Sequence, residues 1–175
     1  MSHRVLLPIL LVFFSSVSPI AALGAQSGSE PVEVEVTDLQ ATPIGVSIAL
    51  RAPRSEDKLY MMIGLNEGEA IVRALRHQKA PRPQTHDLLK LFLDRNGWRV
   101  QKVLIRDFAE ESFRADLTLE KAGATQIYDC RPSDALAVGL LYGAKIYVNP
   151  QLFEQERQRE KQPEIPQPPD SSIHL

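Results

Sequence analysis

Cysteine is almost missing from this chain. Cys130 stands alone in 175 residues, so neither an internal disulfide nor a zinc site built on a cysteine pair can form. It has no identifiable histidine partner for nucleophilic chemistry, and the apolar segments around it point to burial. A basic excess is missing as well: 20 Lys and Arg face 22 Asp and Glu, a formal net charge of −2. A protein that clamps a long nucleic acid carries a strong surplus of positive charge, so any polyanion contact here must be local. There is no Gly-rich phosphate loop, no dinucleotide fingerprint, no Gly-x-Ser-x-Gly elbow and no His-Glu-x-x-His. No uninterrupted apolar run reaches the ~20 residues that a membrane span requires.

What is present begins with an export signal. Met1-Ser2-His3-Arg4 is a short basic start, Val5 to Phe14 is apolar apart from Pro8, and Ala21-Ala22-Leu23-Gly24-Ala25 offers small residues to a signal peptidase. A cleavable signal over residues 1–25 is expected, with an uncleaved anchor as the alternative. No cysteine follows the small residues, so a lipid anchor is not expected either. The mature chain is then exported, periplasmic or secreted, with no stable membrane anchor. The leader removes one basic residue, Arg4, and no acid, which deepens the acid excess.

After a polar link at 26–31 the pattern is that of one domain, residues 32–150. Val32, Val34 and Val36 alternate with Glu33, Glu35 and Thr37, and Ile44, Val46, Ile48 and Leu50 repeat the period of two. Leu59 to Ile63 is continuously apolar, as in a strand covered on both faces. The period then changes. Ala70, Ile71, Ala74 and Leu75 share one face of a helix over 67–78, and Pro81 and Pro83 end it. A second helix is predicted over 86–95, with Leu88, Leu89, Leu91 and Phe92 as its apolar face and Asn96-Gly97 as its stop. Strands follow at 98–105, 113–120 and 124–129. A helix over 134–142, apolar nearly all round, should be the most buried, and Ile146-Tyr147-Val148 is a last strand. Residues 151–175 form a polar, Pro-rich tail, largely disordered, with a frayed helix at its start. The reading is a compact α+β domain with a mixed or antiparallel sheet, three main helices and a loose internal echo. In the echo, each half runs from strands through Arg-Pro to a hydroxyl and an Asp at a helix start.

Two segments could carry chemistry. In Arg82-Pro83-Gln84-Thr85-His86-Asp87, Thr85 is a candidate N-cap and Asp87 suits the first turn of a helix, which explains both structurally. Arg82 and His86 are left over. A capped helix start attracts phosphate oxygens, a guanidinium adds a two-pronged contact, and imidazole is the side chain suited to moving protons near neutral pH. In Asp129-Cys130-Arg131-Pro132-Ser133-Asp134, Ser133 is a candidate cap, and an Asp129–Arg131 pair fixing the turn is the structural alternative. The sharper reading brings Asp87, Asp129 and Asp134 together around Mg²⁺ or Mn²⁺, ions that oxygen ligands hold and that can activate water against a phosphodiester. Glu67 is a further candidate ligand or base, with a solvent-facing acid at a helix start as its alternative. Between Glu69 and Asp87 lie Arg73, Arg76, His77, Lys79 and Arg82 without an acid, either a solvated helix face or a local phosphate track.

Four stretches together resemble the bifunctional nuclease domain family: Ile63-Gly64 with Glu67-Gly68 and Ala70-Ile71; Arg82-Pro83-x-Thr85-His86-Asp87-Leu88-Leu89; Asp129-x-Arg131-Pro132-Ser133-Asp134-Ala135; and Ala144-x-Ile146-Tyr147-Val148. Their order and spacing run across 32–150. The resemblance implies a compact α+β fold that assembles into homo-oligomers and cleaves DNA and RNA. It also implies a site drawn from Arg82, Thr85, His86, Asp87, Asp129, Arg131, Ser133 and Asp134. His86 and the three aspartates are the candidate catalytic groups; Arg82, Thr85, Arg131 and Ser133 are the candidate substrate contacts. Three features depart from the family pattern: Cys130 where Ala is more familiar, the N-terminal signal and the acidic tail. A working signal would exclude a cytoplasmic RNA role. The competing expectation is a non-enzymatic binding or scaffolding domain, in which the same residues are caps and ion pairs.

Overall fold

Alternating valines open the first strand, β1 (Val32–Thr42), which runs antiparallel to β2 (Gly45–Arg51) and through it to β3 (Lys58–Ile63). The computed structural model describes residues 29–161; the expected signal at 1–25, half of the 26–31 link and the Pro-rich end after Lys161 lie outside them. A second antiparallel meander joins β4 (Arg99–Ala109), β5 (Ser112–Lys121) and β6 (Ala124–Cys130). The last strand, β7 (Lys145–Val148), lies between the meanders, antiparallel to β1 and parallel to β4. The result is one mixed seven-stranded sheet of order β3-β2-β1-β7-β4-β5-β6.

One expectation about the strands fails. The apolar run Leu59–Ile63 reads as a strand covered on both faces, yet β3 is an edge strand. Leu59, Met61 and Ile63 turn inward, while Tyr60 and Met62 are 41% and 53% exposed. Periodicity alone cannot separate a fully buried strand from a half-buried one whose outer residues are amphipathic or soft.

Four helices complete the fold: α1 (Leu65–Leu75), α2 (Thr85–Arg95), α3 (Pro132–Leu141) and α4 (Pro150–Lys161). The most apolar of them, α3, is buried from Pro132 to Gly139 except at Asp134, and packs between α1 and strands β4, β5 and β7. Close packing depends on two glycines. A Cβ on Gly139 would lie 2.5 Å from Val103 Cγ2, and one on Gly68 would lie 2.7 Å from Val46 Cγ2. Either addition forces the helix off the sheet. In α4, Leu152 and Phe153 are buried, and Arg157 pairs with Asp57.

The second helix behaves differently from its sequence pattern. Its expected apolar face, Leu88, Leu89, Leu91 and Phe92, is between 41% and 64% exposed, and only Leu93 is buried. Its end is conventional: Trp98 N–H donates to Leu93 O, with Gly97 in the left-handed region. The third helix ends the same way on Gly143, with Ala144 N–H donating to Gly139 O. At α1 the equivalent bond runs from Gln78 N–H to Arg73 O, but the left-handed residue is His77, with φ 52°.

The internal echo takes a definite form. Each meander leads directly into a helix, at Gly64 and at Arg131, but Arg82-Pro83 follows one helix later than Arg131-Pro132 does.

Candidate functional site where three helices begin

The first turns of α1, α2 and α3 open onto one pocket of about 420 Å³, lined by Asn66 and Glu67, by Gln84, Thr85 and His86, and by Arg131 and Asp134. Each turn begins after an extended residue (Gly64, Gln84 and Arg131 respectively), so unpaired N–H groups and the positive ends of three helix dipoles lie together. That field favours anions. Glu67 and Asp134 already use it from the third helical position of their helices.

The side chains are joined by hydrogen bonds. His86 Nε2 lies 3.2 Å from Asp134 Oδ1. Arg131 Nε donates to Asp134 Oδ2 at 2.7 Å, and its Nη2 donates to Asp134 Oδ1 at 3.1 Å and to Glu67 Oε1 at 2.9 Å. Arg131 Nη1 has no partner among the described residues, and the side chain is 66% exposed. Partial burial raises the Asp134 carboxyl pKa, but hydrogen bonds from Arg131 and His86 outweigh it and hold the group below its ordinary value. Asp134 and then Glu67 push the Arg131 guanidinium further up.

The remaining candidate residues go elsewhere. Thr85 is exposed at the first helical position of α2; the N-cap is Gln84, whose N–H donates to Asp87 Oδ2 at 3.0 Å. Gln84 is extended and helical geometry starts at Thr85, so the cap stands one residue ahead of the expected Thr85. Asp87 therefore completes half a capping box. Ser133 is buried inside α3, because Arg131 is the N-cap and Pro132 takes the first helical position. Arg82 is exposed on the link between α1 and α2 and does not line the pocket.

Asp129 is separated from the site by strand alternation. Cys130 packs against the core, so its neighbour Asp129 faces solvent on the other side of β6 and is 67% exposed. Asp129 sits directly across from Asp116, and Arg106 pairs with both, its Nη2 lying 2.9 Å from Asp129 Oδ1. Arg106 also meets Asp107, which Arg114 holds at 2.6 Å. The expected Asp129–Arg131 pair is not formed; this ladder offsets two like charges placed opposite each other. The Cys130 thiol is pushed up to about 11 by burial and then by Asp134 and Asp129, so it is no thiolate near neutral pH.

The three aspartates accordingly do not assemble. Among the described residues, no three His, Cys, Asp or Glu side chains are grouped to hold an ion. Guanidinium, imidazole and backbone N–H groups occupy the oxygens such an ion would need. The donor set does not fit a resident Mg²⁺ or Mn²⁺. Sequence reasoning missed Asn66 and Gln84, and it did not foresee Glu67 as a partner of Arg131. The available signal was positional, since each lies at or just inside a helix start.

The chain matches the family described as the bifunctional nuclease domain over residues 48–161, well over half its length. An uncharacterized protein of Mycobacterium tuberculosis is 32% identical over 124 residues, covering 71% of this chain and 72% of that protein. Bifunctional nuclease 2 of Oryza sativa subsp. japonica is 28% identical over 110 residues, covering 61% of this chain and 34% of that protein. A bifunctional nuclease of Oryza minuta is 28% identical over 107 residues, covering 59% and 32%.

Proposed function

The chain belongs to the bifunctional nuclease domain family, and from that premise we propose that it hydrolyses phosphodiester bonds of DNA or RNA strands in the pocket where α1, α2 and α3 begin. The names of the rice relatives support the nuclease class. One observation carries the assignment to this pocket. Two segments far apart in sequence bring His86, Asp134 and Arg131 into contact at an open cleft surrounded by helix N-termini.

The roles follow from the hydrogen bonds. With Asp134 accepting from Nε2–H, the His86 ring presents the lone pair of Nδ1, a tautomer assigned from the network. Nδ1 takes a proton from water as the water oxygen bonds to phosphorus; the ester bond breaks with its electron pair on the leaving sugar oxygen, which then takes up the proton held by the imidazolium. Arg131 Nη1 and the free N–H groups of the first turns bind the non-bridging oxygens, whose charge grows in the transition state. Glu67 is a positioning residue, sharing the Nη2 group of Arg131 with Asp134. No step passes through a metal.

The test uses single-stranded DNA and RNA oligonucleotides with the purified protein, with and without EDTA. Cleavage that survives chelation, and falls by about 10²–10³ in Arg131→Ala, is expected. A fully folded protein that cuts nothing sinks the proposal. Cleavage abolished by EDTA replaces the metal-free step with one in which an ion arrives with the substrate.

A second reading, an oligomeric binding or scaffolding domain, is favoured by the uncovered apolar face of α2. The two readings are compatible if the chain self-associates through that face. Export is part of the proposal too, on the strength of residues 1–25; N-terminal sequencing of protein from the periplasm or medium should begin after the small residues at 21–25.

A further inference from the structure

The basic run between Glu69 and Asp87 plays no part in the pocket's chemistry, yet it lies against it. Its residues close α1 and form the link to α2. Arg73, His77, Lys79 and Lys90 line a groove of about 470 Å³ between the two helices, over an apolar floor that includes Leu91 and Leu140. Arg73 bonds to Gln84, which lines the catalytic pocket, so groove and pocket share a wall. The acids in the groove are engaged: Asp87 by the Gln84 amide, Asp94 by Lys90 at 2.6 Å and by the Tyr142 hydroxyl at 2.8 Å. The cations of the link are not. Arg76, Lys79 and Arg82 are exposed and have no ion-pair partner among the described residues, in a chain whose formal charge is −2.

A second observation concerns His77. The matching turn-closing positions of α2 and α3 are Gly97 and Gly143, which adopt a left-handed backbone without strain. His77 adopts the same conformation against the preference of an L-residue, and its imidazole lines the groove. A side chain standing where glycine is easier points to a use for the side chain.

We infer that this groove and link carry the phosphate backbone of the nucleic-acid strand as it leaves the catalytic pocket. The inference rests on the nuclease reading and adds the strand's path. It requires that binding of long strands depend on salt through the link, whereas the smallest cleavable substrate never reaches it.

The experiment compares the full chain with Arg76→Ser/Lys79→Ser in two assays. In the first, anisotropy of a labelled single-stranded oligonucleotide is followed against salt in the slow-cutting His86→Ala background, within the time the oligonucleotide stays intact. Losing two phosphate contacts lowers the slope of log affinity on log salt by about 1.4 and weakens low-salt binding at least tenfold. In the second, hydrolysis of a dinucleotide changes less than twofold. His77→Gly, which keeps the turn, also weakens oligonucleotide binding. An unchanged slope overturns the inference and leaves the nuclease reading intact. Equal losses on both substrates, or polyglutamate competing as well as the oligonucleotide, overturn it too. If the wild type cuts nothing but the slope still falls, the track stands and the hydrolytic reading fails.

Discussion

At the residue scale, charge placement decides most of what this site can do. His86→Ala removes the proposed proton acceptor and should slow cleavage by about 10²–10⁴, with little effect on thermal stability. Arg131 is mostly exposed, so its pairs with Glu67 and Asp134 contribute at most about 1 kcal/mol to folding. Its removal should be felt in activity. Acid should reveal the carboxylates. Arg131 and His86 together hold Asp134 below the ordinary carboxyl value of 3.8 against the effect of burial, and the Arg114 hydrogen bond lowers Asp107. A group depressed in the native state contributes stability that is complete above its unfolded value. That contribution is lost as pH falls through the native value. Urea midpoints measured from about pH 6 downward should therefore be flat until about pH 4 and drop below it, and Asp134→Asn should drop less. A midpoint that rises on acidification contradicts the assignment.

Helix and strand ends are the element scale, where local rules and tertiary packing compete. His77→Gly should stabilise the fold by about 1 kcal/mol by relieving the left-handed position. The β4–β5 turn carries Glu110 and Glu111 with φ of 52° and 60°, where hairpins prefer Asn-Gly; that replacement should add about 1–2 kcal/mol, read as a higher melting temperature. These effects also mark what the sequence could convey. Element types and order through β7 were legible, because Val32–Val36 and Phe113–Leu119 alternate cleanly and the 134–142 segment is apolar all round. The edge position of β3 was not, since Tyr60 and Met62 pass for core residues. Nor was the direction in which α2 turns its leucines, which depends on what covers it and not on their spacing. Residue types at the site were readable from the motifs, but their meeting was not. Whether Asp129 or Asp134 faces His86 depends on strand parity across Cys130 and on where α3 starts, and with Pro132 at the first helical position the cap is Arg131, two residues ahead of the expected Ser133.

For the whole molecule, the sheet is a scaffold that sets α3 beneath α1 and α2 so that their first turns meet. The price of this arrangement is the uncovered face of α2, with Phe92 64% exposed. Exposed apolar patches commonly mark sites of association, and we propose that copies of the chain meet here. Leu88→Glu/Phe92→Glu should convert an oligomer to monomer in sedimentation velocity while the far-ultraviolet spectrum is kept; a wild type that is already monomeric removes that part of the account. The central proposition is narrower: His86 and Asp134, 48 residues apart, act as one proton-handling unit. A double-mutant cycle on single-turnover oligonucleotide cleavage tests it most directly, using His86→Ala, Asp134→Asn and the pair. The account predicts that the double variant is no slower than the slower single variant, as for groups that work as a unit. Losses that multiply, with all three proteins folded, would mean that the two residues act separately and that the pocket is not the catalytic centre described.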